Sequence, residues 1–159
     1  MELNLTLFDE QFLHAAQALV AGAEDRIWIS TFKAEITTKP RGRRLNKFFD
    51  TLIQKVHQGV EVRFLLPRPA KTNYVPDSNL YAITALKRGK VEVRSFFGNR
   101  LCHAKIIFVD NDEAILGSHN LSVKSCHNNF ECSVSIIDKF TLLGIQNGYE
   151  KAWLRSQKI

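Results

Sequence analysis

The stretch of sequence that decides the fold covers residues 101–120 and reads LCHAKIIFVDNDEAILGSHN. Side chains alternate between the two faces of a strand, and from Ile106 to Val109 both faces are apolar. This pattern is typical of a strand in the buried middle of a sheet. The dipeptide Asn111-Asp112 favours a tight turn, so we predict a hairpin that joins residues 101–109 to residues 114–116.

Four polar side chains cluster at one end of this predicted hairpin. His103 and Lys105 are two residues apart, and on a strand that spacing places both on one face. Ser118 and Asn120 follow the second strand and are expected beside them at the margin of the sheet. An imidazole, an ammonium group, a hydroxyl and an amide can together hold a phosphate. The imidazole would attack phosphorus while the other groups bind the non-bridging oxygens.

The rest of the chain alternates helical and strand patterns. Apolar residues spaced three and four apart predict the clearest helix, which starts near Leu45 and ends at Gly59. Further helices are predicted over 9–22 (with Asp9 as N-cap), 78–88 and 138–153, and strands over 26–32, 60–66, 91–96 and 131–137. Residues 39–42 are predicted to form a basic turn, and 118–129 a polar loop. This order predicts a single α/β domain, 1–159, with a mixed, largely parallel β-sheet and helices on both faces.

Composition excludes several classes of protein. The chain has 159 residues, 45% hydrophobic and 24% charged, which excludes a disordered, collagen-like or coiled-coil chain. Charged residues interrupt the apolar runs, so no transmembrane helix is predicted, and no basic leader opens the chain. Three cysteines cannot all pair, so we expect reduced thiols in a cytoplasmic protein. They form no Cys-x2-Cys pair, and we predict no metal site and no cofactor.

Positive charge is concentrated in two segments of this chain, whose net charge is +6. Residues 33–47 hold six bases and one acid, a net +5, and residues 87–105 hold the same balance. Such clusters indicate either a polyanionic partner, nucleic acid or an anionic membrane surface, or a solvated face that aids solubility. The residues predicted to contact nucleic-acid phosphates are Lys33, Arg41, Arg43, Arg44, Arg100 and Lys124.

The register His103-x-Lys105-x4-Asp110-x6-Gly117-Ser118-x-Asn120 resembles the signature of the phospholipase D superfamily. A glutamate at a similar distance downstream occurs in compact nucleases of that family, and Glu131 matches it. The specific resemblance covers residues 101–131, while the order of helices and strands is similar to the family's sandwich over the whole chain.

This resemblance implies a role for each matching residue. His103 would be the nucleophile that forms a phosphohistidine, and Lys105 and Asn120 would bind phosphate oxygens. Ser118 would place a hydroxyl near the phosphate or the histidine. Glu131 would accept a hydrogen bond from one ring nitrogen of His103 and so fix its tautomer. The remaining motif residues, Asp110 and Gly117, would be structural, with Asp110 buried near the hairpin turn. His119, at the variable position, is interpreted as incidental rather than as a substrate contact.

The family's chemistry uses two such motifs, the second histidine protonating the leaving group, whereas this chain has one copy. The resemblance therefore implies a C2 homodimer with a shared active site. We expect a metal-independent phosphodiesterase that cleaves nucleic acid, with DNA favoured over RNA and no stable membrane association. Two alternatives stay open: a phospholipase or phosphatidyl transferase acting on lipid, and a non-catalytic module that only binds nucleic acid.

Overall fold

The computed structural model describes residues 4–67, 78–96 and 101–159 of the chain. Their strands form one eight-stranded sheet in the order β1-β7-β6-β5-β2-β3-β4-β8. The strands are β1 (Leu5–Phe8), β2 (Arg26–Ser30), β3 (Glu61–Pro67), β4 (Glu92–Phe96), β5 (Ile106–Val109), β6 (Glu113–Gly117), β7 (Cys132–Ile136) and β8 (Ser156–Lys158). The helices are α1 (Glu10–Gly22), α2 (Arg43–His57), α3 (Ser78–Arg88), α4 (Val123–His127) and α5 (Lys139–Leu154).

Strand direction in this sheet is mixed, as predicted, but the prediction of a largely parallel sheet is wrong. Among neighbouring strands of the described residues, parallel pairing joins only β2 to β3 and β3 to β4. Helices α2 and α3 carry the chain back across one face between these strands. The other five pairings are antiparallel. The hairpin β5–β6 reverses the chain, and two short edge strands, β1 and β8, pair antiparallel with their neighbours. Neither edge strand was predicted from the sequence.

Helices cover both faces of the sheet, which confirms the predicted layering. Residues of α1, α2, α3 and α4 pack with one face in a larger core, and residues of α5 pack with the other face in a smaller one. The buried middle strand β5 separates these cores, since Ile107 and Val109 belong to the larger and Phe108 to the smaller. The strand begins at Ile106 rather than at residue 101.

The amphipathic helix α2 anchors the larger core. Leu45, Phe48, Phe49 and Leu52 are all buried, as their spacing predicted. Burial of one such side chain contributes roughly 1.5–3 kcal/mol to stability. The helix starts at Arg43, directly after a single 3-10 turn over Pro40–Gly42, so the predicted basic turn is the approach to a helix.

Short elements escaped prediction because a few residues carry no periodic signal. Helix α4 has 5 residues and lies inside the predicted polar loop, where the Ser122 side chain caps it by accepting from the Ser125 N–H. Strand β1 has 4 residues, and only Leu7 of them is buried. Among the described residues, no helix is long and apolar enough to cross a membrane.

Candidate active site

The polar residues of the motif meet at one edge of the sheet because of how four neighbouring strands run. Strands β7, β6, β5 and β2 lie side by side and are antiparallel in turn. The starts of β5 and β7 therefore share an edge with the ends of β6 and β2. His103 and Lys105 precede β5, Ser118 and Asn120 follow β6, and Glu131 precedes β7.

The imidazole of His103 and the ammonium group of Lys105 are in direct contact. Lys105 Nζ lies 2.8 Å from Nδ1 and 3.1 Å from Nε2 of the ring, and it donates to the His103 carbonyl at 2.7 Å. The ring packs beside Phe32, with 5.0 Å between centroids, and His103 is exposed to solvent. An incoming anion can therefore reach both groups.

Burial and neighbouring charges lower the pKa of both groups. Partial burial, followed by the positive charge of Lys105, lowers the pKa of His103 below its ordinary value. Burial also lowers the pKa of Lys105, and it outweighs the opposite effect of the Glu131 carboxylate. At neutral pH the imidazole is thus neutral, and a neutral imidazole carries the lone pair that a nucleophile needs.

Glu131 is held by side chains of the segment between β6 and β7. Ser118 donates its hydroxyl to one carboxylate oxygen, while Ser125 Oγ and Asn129 Nδ2 donate to the other at 2.8 and 2.9 Å. The hydrogen bond expected between Glu131 and His103 does not form, and the carboxylate bonds to these donors instead. Burial raises the pKa of Glu131, but the three hydrogen bonds outweigh it and the net shift is downward.

Three of the contacts that hold Glu131 were missed by sequence reasoning. Ser125 and Asn129 lie in the predicted polar loop, and Asp9 comes from the other end of the chain. Asp9 Oδ1 accepts from the Glu131 N–H at 3.2 Å, so its side chain makes no capping bond to α1, contrary to expectation. A local sequence signal near Ser125 was Ser122, a typical N-cap residue, which could have indicated the short helix α4.

Asn120 is oriented by its side-chain oxygen. That oxygen accepts from the Lys33 N–H at 3.1 Å and from Thr31 Oγ1 at 3.4 Å, both just past the end of β2. The Asn120 N–H donates to Ser125 Oγ at 2.9 Å. Within the described parts of the chain, the amide Nδ2 has no hydrogen-bond acceptor, so it remains a donor for a phosphate oxygen.

Asp110 and Gly117 hold the hairpin in place. The Asp110 carboxylate accepts from the N–H groups of Glu24, Asp25 and Arg26 at 2.7, 2.8 and 2.7 Å. It joins the β5–β6 turn to the start of β2, and it is half-buried rather than buried. At Gly117, a Cβ atom would overlap with the backbone and hydroxyl of Ser133 on β7, so a side chain would force the strands apart.

His119 lies under the site and does not face solvent. It is 1% exposed, stacks on Phe12 with 4.3 Å between ring centroids, and places Nδ1 2.8 Å from Ser133 Oγ. Burial lowers the pKa of the ring. These contacts hold His119 between α1 and β7.

The predicted phosphate-binding residues that the structure describes divide into three groups. Lys33 follows β2 at the edge of the site, where its backbone holds Asn120. Arg41, Arg43 and Arg44 line a separate groove of about 530 Å³ together with Glu10 and His127. Lys124 is exposed on α4. Arg100 falls outside the described residues.

Known proteins resemble this chain in sequence and in fold. Residues 17–153 match the family described as "Cardiolipin synthase, PLD-like domain", and the chain belongs to this phospholipase D-like family. It is 33% identical over 122 residues to cardiolipin synthase A of Pseudomonas aeruginosa. This alignment covers 76% of this chain but only 23% of that protein.

Two solved structures show the same fold at low sequence identity. Nuc from Salmonella typhimurium, a phospholipase D family member, superposes with a TM-score of 0.82 at 15% identity and covers 99% of this chain and 97% of Nuc. TrmBL2, an archaeal chromatin protein that binds DNA, superposes with a TM-score of 0.66 at 18% identity over 99% of this chain and 54% of that one.

Proposed function

We propose that the chain is a metal-independent phosphodiesterase that cleaves nucleic acid through a phosphohistidine on His103. The observation that carries this proposal is the contact between a neutral imidazole and the Lys105 ammonium group at an open edge of the sheet. The hydroxyl of Ser118 and the amide of Asn120 follow the neighbouring strand at that edge. These groups match what an in-line attack on a phosphodiester needs.

The reaction proceeds in two displacements. A ring nitrogen of His103 attacks phosphorus, the bond to the leaving oxygen breaks, and that oxygen takes a proton from a general acid. Water then attacks the phosphohistidine, gives a proton to the same acid–base group, and releases the phosphate monoester with His103 restored. Lys105 and Asn120 Nδ2 bind the non-bridging oxygens, whose negative charge they stabilise in both steps.

The second histidine comes from a second copy of the chain. Only one His-x-Lys motif is present in the sequence, and the chemistry needs an acid as well as a nucleophile. A C2 dimer would place two copies of His103 on opposite sides of one phosphate. The expected mass in solution is twice 18.2 kDa, which sedimentation measures directly.

Nucleic acid is the favoured substrate for two reasons. Arg41, Arg43 and Arg44 form an arginine-lined groove that suits a phosphate backbone. The chain also superposes on Nuc over nearly all of both chains, whereas its sequence aligns with only about a quarter of cardiolipin synthase A. The second candidate, phosphatidyl transfer, is favoured by the 33% identity to that synthase.

The deciding experiment is cleavage in the presence of EDTA. Labelled single-stranded DNA, duplex DNA, RNA and vesicles of phosphatidylglycerol are each incubated with the wild type and with His103→Ala. Cleavage of a polynucleotide by the wild type alone supports the proposal. Faster headgroup release from vesicles supports phosphatidyl transfer, and loss of all cleavage in EDTA overturns the metal-independent mechanism. A gel shift without cleavage by either protein indicates a binding module.

A further inference from the structure

Two exposed aromatic rings lie near the candidate site, and neither is part of the proposed catalytic mechanism. Phe130 is 85% exposed and Phe8, at the end of β1, is 41% exposed. Their rings stack on each other, with 5.9 Å between centroids and 24° between planes. Phe8 therefore supports one face of Phe130, while most of the Phe130 ring is open to solvent.

The pair is close to the phosphate-binding groups. Phe130 directly precedes Glu131, whose carboxylate accepts from Ser118. Phe8 is in register with Cys132, and Cys132 exchanges hydrogen bonds with Ser118 at 3.0 and 3.1 Å. The Phe8 backbone is thus two strand spacings, about 10 Å, from that of Ser118. That separation suits a nucleotide that flanks the scissile phosphate.

Exposure of two adjacent large rings is unfavourable unless a partner covers them, because a Phe side chain gains more from burial than most others. We propose that Phe130, supported by Phe8, is a stacking platform for an unpaired base of the nucleic-acid substrate. This inference rests on the proposed function and names the form of the substrate, a single strand. We call these two residues the aromatic pair.

A base is the occupant that the surroundings favour. Ser118 lies two residues before Asn120, whose Nδ2 is proposed to bind phosphate, and a nucleotide joins a phosphate to a flat ring within one residue. Every base has a π face, so stacking on Phe130 tolerates all sequences. In a duplex both faces of an internal base are covered by its neighbours. The aromatic pair therefore selects single strands, loops or frayed ends.

The test uses an abasic scan of a single-stranded oligonucleotide. Each nucleotide near the cleaved bond is replaced in turn by an abasic residue, and single-turnover cleavage is measured with the wild type and with Phe130→Ala. Loss of a base that stacks on an aromatic ring weakens binding by about 5- to 100-fold. With the wild type, we expect an abasic residue at one flanking position to lower cleavage by this factor. Phe130→Ala should cleave the intact strand more slowly by the same factor, and an abasic residue at that position should cause no further decrease.

Matched variants separate stacking from other effects. Phe130→Trp keeps an aromatic ring and should retain selectivity for single strands. Phe130→Leu keeps an apolar side chain but has no planar ring for a base to stack on, so it should behave as Phe130→Ala does. Phe140, 86% exposed on α5, provides the control, and Phe140→Ala should match the wild type. Because Phe130 is exposed, its substitution leaves the folded chain intact.

Three outcomes overturn the inference. The first is equal cleavage of single strands by the wild type and Phe130→Ala, and the second is full activity of Phe130→Leu. The third is a lower sedimentation mass for Phe130→Ala, which would assign the aromatic pair to a dimer interface. If the wild type cleaves no nucleic acid, the proposed function fails by itself. Binding of the same abasic oligonucleotides, measured by fluorescence anisotropy, then tests whether Phe130 stacks on a base, independently of cleavage.

Discussion

The two halves of the sheet use their side chains differently. In the half formed by β2, β3 and β4, apolar residues fill most of the strands and of the helices α2 and α3, and the buried Asn79 of α3 bonds to backbone groups of Phe32 and Ala34. In the half formed by β5, β6, β7 and β1, buried polar side chains bond to other side chains. Those of β7 and of the segment that joins it to β6 are His119, Ser122, Ser125, Ser133 and Ser135.

This difference separates stability from chemistry. Parallel crossovers bury strands on both faces, which favours continuous apolar contact. Polar groups that act on a substrate need fixed partners, and the serines and His119 of the second half supply hydrogen bonds in a space that excludes water. Substitutions in the first half should therefore lower stability, and those at the edge of the second half should lower activity.

The largest effect on stability is expected from Phe48→Ala in α2. Phe48 is fully buried in the larger core, and removal of such a ring lowers the free energy of unfolding by about 3–5 kcal/mol. Urea unfolding measures this loss, with Phe140→Ala as an exposed control. The cleavage rate per folded molecule should stay unchanged. A fall in that rate beyond the loss of folded protein would show that the two halves are coupled.

The converse effect is expected from Lys105→Met, which keeps the length of the side chain and removes its charge. Loss of a group that stabilises charge on phosphate lowers the cleavage rate by about 10²- to 10³-fold. Lys105 is half-buried and its side-chain hydrogen bonds go to His103, so removing the ammonium group should change the free energy of unfolding by about 1 kcal/mol or less. Lys151→Met, on the exposed surface of α5, is the matched control. A rate within about threefold of the wild type would remove Lys105 from the mechanism.

Asp110→Asn tests the link between the two halves. An amide cannot accept all three backbone hydrogen bonds, so we expect a loss of about 1–3 kcal/mol in unfolding free energy at neutral pH. Burial raises the pKa of Asp110, but these backbone bonds outweigh it and lower the pKa below 3.8. The stabilisation is therefore present above about pH 4 and is lost as the pH falls through the lowered value. Urea unfolding across this range should show wild type and variant converge in acid; a constant difference would contradict the assignment.

The smallest effect is a shift in the titration of His103. Its pKa lies below 6.5 because of burial and the charge of Lys105. The nucleophile thus stays neutral to lower pH than a free imidazole, and the acid limb of the cleavage rate should lie below pH 6.5. Lys105→Met removes one of the two causes and should raise the pKa. NMR titration of the ring, assigned with His103→Ala, measures both values, and a pKa that falls in the variant would contradict the contact.

Long elements with a regular pattern could be predicted from the sequence, and short ones could not. Helix α2 follows from the spacing of its buried residues, and β5 from its double apolar face. Strand β8 has 3 residues, one of them buried, so it exists only because the edge of β4 offers it hydrogen bonds. The parallel prediction failed because β2 pairs antiparallel with β5 in the middle of the sheet, and the order of strands across a sheet is not encoded in any one strand.

For the candidate site, the sequence by itself determined which residues are proposed to carry chemistry. The register from His103 to Asn120 is local, and a spacing of two residues just before β5 is enough to place an imidazole and an ammonium group in contact. The tertiary structure alone decided what holds them: Asp9 and Thr31 reach the site from distant parts of the chain, and Glu131 bonds to Ser118, Ser125 and Asn129 instead of His103. A carboxylate takes whichever donors the packed strands bring within reach, and that choice follows from sheet order, which no local pattern encodes.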